Sequence, residues 1–445
     1  MSGAQVDRYA LLLAVVAVLA VLVPAFRSRP RFAVVAWTLV VAFVPYWMGV
    51  DVKVYVAPAT GVALMGIVAL TGRRPVRLRA PDLIVAVAVT TAVLAYVGGY
   101  GTIHSASVAV LDWGACYVFA RLVASSVEAR WIYGVVALVL GAAGLLALVE
   151  FATGVNVFVH LPALSDYSGS IWRTLQTRGG VLRAEGAFGH SIALGASLAM
   201  AVPLALGSRL PKAVKVAVVT TLLAGSVVTF SRIGIGTAVA GLVLSVLLMR
   251  SELAMRTRLA MSALFGVVAV VATPLLEGVF AAAGSEAAGS AAYRPALLRL
   301  LPTIRVLGMS GARERSAAGT TSFGAFGSID SAVILAGVTY GLIVVVLLLG
   351  LHVTAAATLL RRTEPSPAQI AIVAQLPAVL TVALITQYAM FFWFMAGLAV
   401  STYVRARPSP PYRDVVVSPG RSTRIQRPRS AVLDDDRELS GSEAT

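Results

Sequence analysis

Arg183, Glu185 and His190 fall within the stretch Arg-Ala-Glu-Gly-Ala-Phe-Gly-His, directly ahead of an apolar run that reaches Pro203. A guanidinium matches phosphate oxygens bidentately and keeps its charge beside a low-dielectric medium. An arginine at such a mouth therefore suits a phosphate or diphosphate. Arg232 has the same character, since it follows Thr-Phe-Ser between two apolar runs. Asp330 follows Gly-Ser-Ile and opens a third apolar run. A carboxylate there can take a proton from an attacking hydroxyl, or it can serve the helix as a cap and dipole partner. Glu185 can pair with Arg183 or orient a substrate, and His190 can be a substrate contact or a satisfied polar residue. Arginines at helix ends also reach toward headgroups by snorkelling. No His-x-x-x-His or His/Asp spacing supports a metal, and no Gly-rich phosphate loop is present. The single Cys116 excludes an intramolecular disulfide and a cysteine cluster. No metal and no cofactor are expected.

The elements that must hold these residues are membrane helices. The 445 residues are 58% hydrophobic and only 13% charged, with a mean hydropathy of +0.87. A soluble domain carries about 25% charged residues, and this much apolar surface exceeds what one soluble core can hide. In lipid every backbone polar group must be paired within its own segment, so long apolar runs are expected to be helices. Such runs lie near 9–26, 32–50, 54–71, 81–99, 104–125, 131–152, 188–207, 213–230, 233–249, 259–276 and 329–351, and a block at 368–404 splits near Gln387. The expected fold is all-α: a polytopic bundle of about 12–13 transmembrane helices filling residues 1–404 as one domain. The first run lacks a small-residue cleavage site, so no signal peptide is expected. Span centres carry almost no charge, which disfavours an ion pump.

The net charge of +16 sorts by connection. The odd connections are basic: Arg27, Arg29 and Arg31; Arg73, Arg74, Arg77 and Arg79; Arg121 and Arg130; Arg209, Lys212 and Lys215; Arg250, Arg256 and Arg258; Arg361 and Arg362. Short basic loops face the cytoplasm, so the charge reports topology and no nucleic-acid partner is expected. The even connections then face outward, including long ones at about 153–187 and 277–328. The latter precedes the eleventh span, and its stretch from Tyr293 to Val306 could form an interfacial amphipathic helix. The Pro-, Ser- and Arg-rich stretch 405–445 is expected to be a disordered cytoplasmic tail. Outward arginines are exceptions to the charge rule: Arg173, Arg178 and Arg183; Arg232; and Arg294, Arg299, Arg305, Arg313 and Arg315.

Four pieces in this order resemble the O-antigen ligase and O-antigen polymerase superfamily of bacterial membrane glycosyltransferases. They are Arg183-Ala-Glu-Gly-Ala-Phe-Gly-His190, Thr229-Phe-Ser-Arg232-Ile-Gly234, the loop from Arg294 to Gly311, and Asp330-Ser331 leading to Gly341-Leu342. The resemblance covers roughly 130–350. It implies transfer or polymerisation of a glycan from an undecaprenyl-diphosphate carrier onto a glycan or lipid acceptor, at the outer face of a bacterial plasma membrane, for cell-surface polysaccharide. It assigns the diphosphate to Arg183 and Arg232; Glu185, His190, Arg294 and Arg305 are the further candidate substrate contacts. The base position, a histidine in the family's ligases, is Asp330 here, followed by Ser331 rather than asparagine. A lipid-linked glycan transporter, which would show broken helices around a polar cavity, and an inactive relative in an envelope complex are the alternatives.

Overall fold

The computed structural model describes residues 18–250, 254–284, 293, 295–315, 321–361 and 365–402. The expected tail at 405–445 and Arg294 lie outside the described residues. The chain is mostly helical, and the strands among the described residues form three small antiparallel hairpins. One of these, pairing Thr177 with Leu182 and Arg178 with Val181, leads into the Arg183 stretch.

Among the described residues five helices are long and apolar enough to cross a bilayer alone: Ala80–Val97, Ile103–Ser126, Ala129–Thr153, Met255–Ala282 and Leu342–Leu360. Shorter apolar helices include Val18–Ser28, Pro30–Phe43, Pro58–Leu70, Ser191–Gly207 and Arg232–Leu248. The all-α membrane character expected from composition is met in this form. Among the described residues the bundle combines five long helices with shorter and interrupted ones.

The interruptions are specific. The run expected as one helix over 329–351 is two helices, Ala332–Tyr340 and Leu342–Leu360, parted at Gly341 with φ +97°. A Cβ at Gly341 would stand 2.7 Å from the carbonyl oxygen of Val306, so only glycine fits. A helix cut inside a bilayer leaves backbone groups without water. The segment Arg305–Ser310 meets that need. The carbonyls of Arg305 and Val306 accept from the N–H of Leu342 (2.9 Å) and Ile343 (3.3 Å). The N–H groups of Gly308 and Ser310 donate to the carbonyls of Tyr340 (2.9 Å) and Val338 (2.8 Å). The last apolar block divides into Pro367–Ala374, Leu376–Thr381 and Thr386–Thr402, close to the split expected near Gln387. Within the fifth run, Val108–Ala115 is a π-helix.

The connections gather at two ends. At one end Gln387 Nε2 donates to the carbonyls of Val44 (3.1 Å) and Ala187 (2.8 Å), and Leu164 N donates to Trp47 O (3.2 Å). There too Arg183 bonds Thr229, Met309 N bonds Tyr100 O (2.6 Å) and Ala332 N bonds Val382 O (2.9 Å). The basic connections meet at the other end. Arg27 donates to Ala69 O, Arg74 to Ser125 O, Arg121 pairs with Asp82, and Arg209 pairs with Glu128. The alternation of basic and non-basic connections thus corresponds to two ends of one bundle.

At the bundle's centre stands Ser191–Gly207, buried at every position except Ile192. Its alanines, glycines and serines let neighbours approach at backbone distance, as small residues do between membrane helices. A Cβ on Gly195 would lie 3.4 Å from Gly234 Cα. Between the surrounding helices, a Cβ on Gly225 would lie 2.8 Å from Gly144 Cα. Gly241 and Gly337 also face close neighbours, whereas Gly236 faces open space. Of the expected amphipathic helix over Tyr293 to Val306, Tyr293 and residues 295–297 are α-helical and Leu298–Thr303 follows as 3-10 helix. Leu297 and Leu300 are buried against Phe323, Ile334 and Val338, so this segment packs onto the Ala332–Tyr340 helix.

Candidate functional site

The first corner is the Arg183 stretch. Glu150, in the last turn of Ala129–Thr153, organises it. The Glu150 carboxylate accepts from Glu185 N (3.1 Å), Gly186 N (2.9 Å) and Asn156 Nδ2 (2.8 Å). Arg183 is buried, donating from Nε to Thr229 O (3.0 Å) and from NH1 to Gln176 Oε1 (3.3 Å). Glu185 is wholly buried, with Oε1 accepting from Gln176 N (3.0 Å). Burial pushes its pKa up to about 8, with Glu150 adding to the rise and Arg183 opposing it. His190 caps the Ser191–Gly207 helix by accepting from Ile192 N at Nδ1 (3.1 Å). Burial and then the charge of Arg183 push its pKa down to about 4.

Arg183 and Arg178 clasp the Thr229–Ser231 turn, Arg178 donating to Phe230 O (2.6 Å). Phe230 adopts φ +48°, unusual for a non-glycine residue. Ser231 then caps the Arg232–Leu248 helix by accepting from Gly234 N (3.1 Å). Arg232 itself is exposed, with its guanidinium 4.5 Å from the Phe280 ring centroid, and Arg178 lies 5.8 Å from the same ring. The structure therefore brings Arg183, Glu185, His190 and the Arg232 turn together. It gives Arg183 a buried, hydrogen-bonded position and leaves Arg232 open.

The second corner surrounds a cavity of about 760 Å³. Tyr340, Trp113 and Trp393 supply aromatic wall, and His104, Thr339 and Arg313 supply polar groups. Trp113 stacks on Trp393 (5.3 Å) and meets Tyr340 edge-on (4.8 Å). The Arg313 Nε is buried with no hydrogen-bond partner among the described residues. Ala332, two residues past Asp330, is also in the wall. Asp330 is exposed and accepts weakly from Ser328 Oγ (3.5 Å), while Ser331 is the residue that caps the Ala332–Tyr340 helix. The Asp330 charge, after burial, raises the pKa of Tyr293. Arg305 is exposed, and its backbone closes the Gly341 break. The cavity wall includes none of Arg183, Arg232, Glu185 or His190.

No protein-family model, no curated protein and no solved structure matches this chain. The site is therefore judged on its own chemistry. Among the described residues no cluster of three or more His, Cys, Asp or Glu could hold a metal ion.

Two acidic residues important here escape the sequence patterns. Glu150 ends an apolar run without a basic neighbour, and its partners come from 35 and 36 residues further on. Asp112 lies in the π-helix of the fifth run, buried, accepting from Thr60 Oγ1 (2.8 Å). It corrects the expectation that span centres are almost free of charge. The visible signal was an acid inside an apolar run, in Val-Leu-Asp-Trp.

Proposed function

We propose that this chain is a membrane glycosyltransferase that takes a glycan from an undecaprenyl-diphosphate carrier and joins it to an acceptor at the outer face of a bacterial plasma membrane. The observation that carries the proposal is the 760 Å³ cavity, which combines aromatic and apolar walls with the Arg313 guanidinium. A polyprenyl diphosphate has that same division between an apolar chain and an anionic head. Exposed arginines at the same end, Arg232 and Arg305, add to the attraction for the diphosphate. Arg183 acts through the Thr229 carbonyl, holding the turn that presents Arg232.

In the proposed reaction Asp330 takes the proton of an acceptor hydroxyl, whose oxygen attacks the anomeric carbon. The bond from that carbon to the carrier diphosphate breaks, and the departing oxygen keeps the electron pair. Guanidinium groups stabilise the added charge. The test is transfer by the purified protein in nanodiscs, with a synthetic polyprenyl-diphosphate glycan and an acceptor. Arg313→Ala and Asp330→Asn should each lower the rate by at least about a hundredfold. Unchanged rates in both would end the proposal.

The interruptions at Gly341 and in 367–386 favour a second reading, transport of the same lipid-linked glycan. Movement of labelled carrier across vesicles, without a new glycosidic bond, would select it.

A further inference from the structure

At the basic end a second cavity, of about 340 Å³, lies between the C-terminal halves of Leu342–Leu360 and Thr386–Thr402. Leu351, Ala355, Ala396 and Val400 supply apolar wall. The hydroxyl and amide side chains there are already engaged by the protein. Thr354 Oγ1 donates to Leu351 O (2.8 Å), and Thr358 Oγ1 accepts from Gln369 Nε2 (3.2 Å). Gln369 Oε1 accepts from Ser366 N (3.2 Å). The cleft walls therefore offer little beyond hydrocarbon. Further in, His352 stacks on Phe392 (5.6 Å, 24°), between Leu348 in the wall of the first cavity and Leu351 in the wall of the second.

Arg79 also lines this cleft. Its Nε is buried and has no hydrogen-bond partner among the described residues. The acid closest in sequence, Asp82, is already occupied. It accepts from Arg121 Nε (2.8 Å), Tyr117 OH (2.7 Å) and the Arg79 backbone N–H (2.7 Å). Arg73, Arg74 and Arg77 stand in the same connection and make this end strongly cationic.

We propose that the cleft is a binding site for an anionic phospholipid, with an acyl chain between the two helices and the phosphate on Arg79. A free phosphate would leave the apolar cleft unfilled, and a lipid without net charge would leave the cationic rim uncompensated. Basic pockets between membrane helices take acidic headgroups for this reason. The site is separate from the proposed transfer chemistry and does not depend on it.

The test is native mass spectrometry of the full chain released from micelles doped with phosphatidylglycerol or phosphatidylcholine. Wild-type protein should retain phosphatidylglycerol about tenfold better than phosphatidylcholine. Arg79→Gln should remove that preference and Arg79→Lys should keep part of it. Arg29→Gln, at an exposed arginine of another basic connection, should leave it unchanged. Ala355→Phe fills the cleft while sparing Arg79, and it too should lose the lipid. Equal retention of the two lipids, an Arg29→Gln loss equal to that of Arg79→Gln, or full retention in Ala355→Phe would overturn the site. Displacement of the lipid by millimolar inorganic phosphate alone would overturn it in favour of a simple anion site.

Discussion

Arg183 Nε donates to the carbonyl oxygen of Thr229 across 3.0 Å, so the buried arginine of one connection fixes the turn that carries the exposed Arg232 of another. The two arginines should therefore fail differently. Arg183→Ala leaves a buried carbonyl without its donor and opens space in the core, at a cost of about 2–4 kcal/mol. Arg232→Ala touches an exposed side chain and should shift stability by less than about 1 kcal/mol. Thermal unfolding in detergent should separate them, while glycan transfer should fall in both. A stable, fully active Arg232→Ala protein would remove Arg232 from the site.

Glu150 should be the most sensitive position in this corner. Glu150→Ala strips two buried backbone N–H groups of their acceptor, each worth about 1–3 kcal/mol when orphaned, and leaves Asn156 Nδ2 only the Gly186 carbonyl. Glu150→Gln keeps one acceptor oxygen and should cost clearly less. Denaturation midpoints of the two variants, measured side by side, check the order.

Stability should depend on pH through Glu185 and His190, with opposite signs. Folded Glu185 keeps its proton up to about pH 8, whereas the unfolded chain releases it near 4.5. The folded state binds the extra proton in that window, so this contribution falls as pH rises. Folded His190 stays neutral down to about pH 4, whereas the unfolded residue protonates near 6.5. Its contribution therefore falls as pH drops through that window. The two slopes oppose each other between 4.5 and 6.5, and only the Glu185 decline remains from 6.5 to 8. Melting temperatures across this range should show the decline in wild type and a flatter profile in Glu185→Gln.

Gly341→Ala should disturb the wall of the larger cavity without touching its chemistry. The backbone at φ +97° and ψ 174° is a region other residues occupy at a cost of about 1–3 kcal/mol. The added Cβ also meets the Val306 carbonyl. Faster amide exchange at Gly308 and Ser310, which bond the half-helix, is the expected signature.

Much of the architecture was legible because bilayers impose simple rules. Apolar runs located the helices, and the Arg27-to-Arg362 charge pattern separated two sets of connections that the structure gathers at two ends. The break at Gly341 was not legible, because it depends on carbonyls at Arg305 and Val306, brought in from a different connection. The cap at Ser331 was missed because Asp330 and Ser331 are both good cap residues, and only backbone geometry chooses between them. The nearness of Arg183 to the Thr229 turn was suggested only by a resemblance. The placement of the larger cavity beside Arg313 and Tyr340 required the folded chain.

The central helix Ser191–Gly207 has 17 residues and is about 26 Å long at 1.5 Å per residue. A hydrocarbon layer is about 30 Å thick. The mostly exposed Met255–Ala282 helix, with 28 residues, is about 42 Å long. Wrapped on its sides by protein, the central helix need not match the bilayer. The central helix is thus about 4 Å shorter than that layer, a mismatch taken up by the protein around it, with His190 capping one end of the short helix.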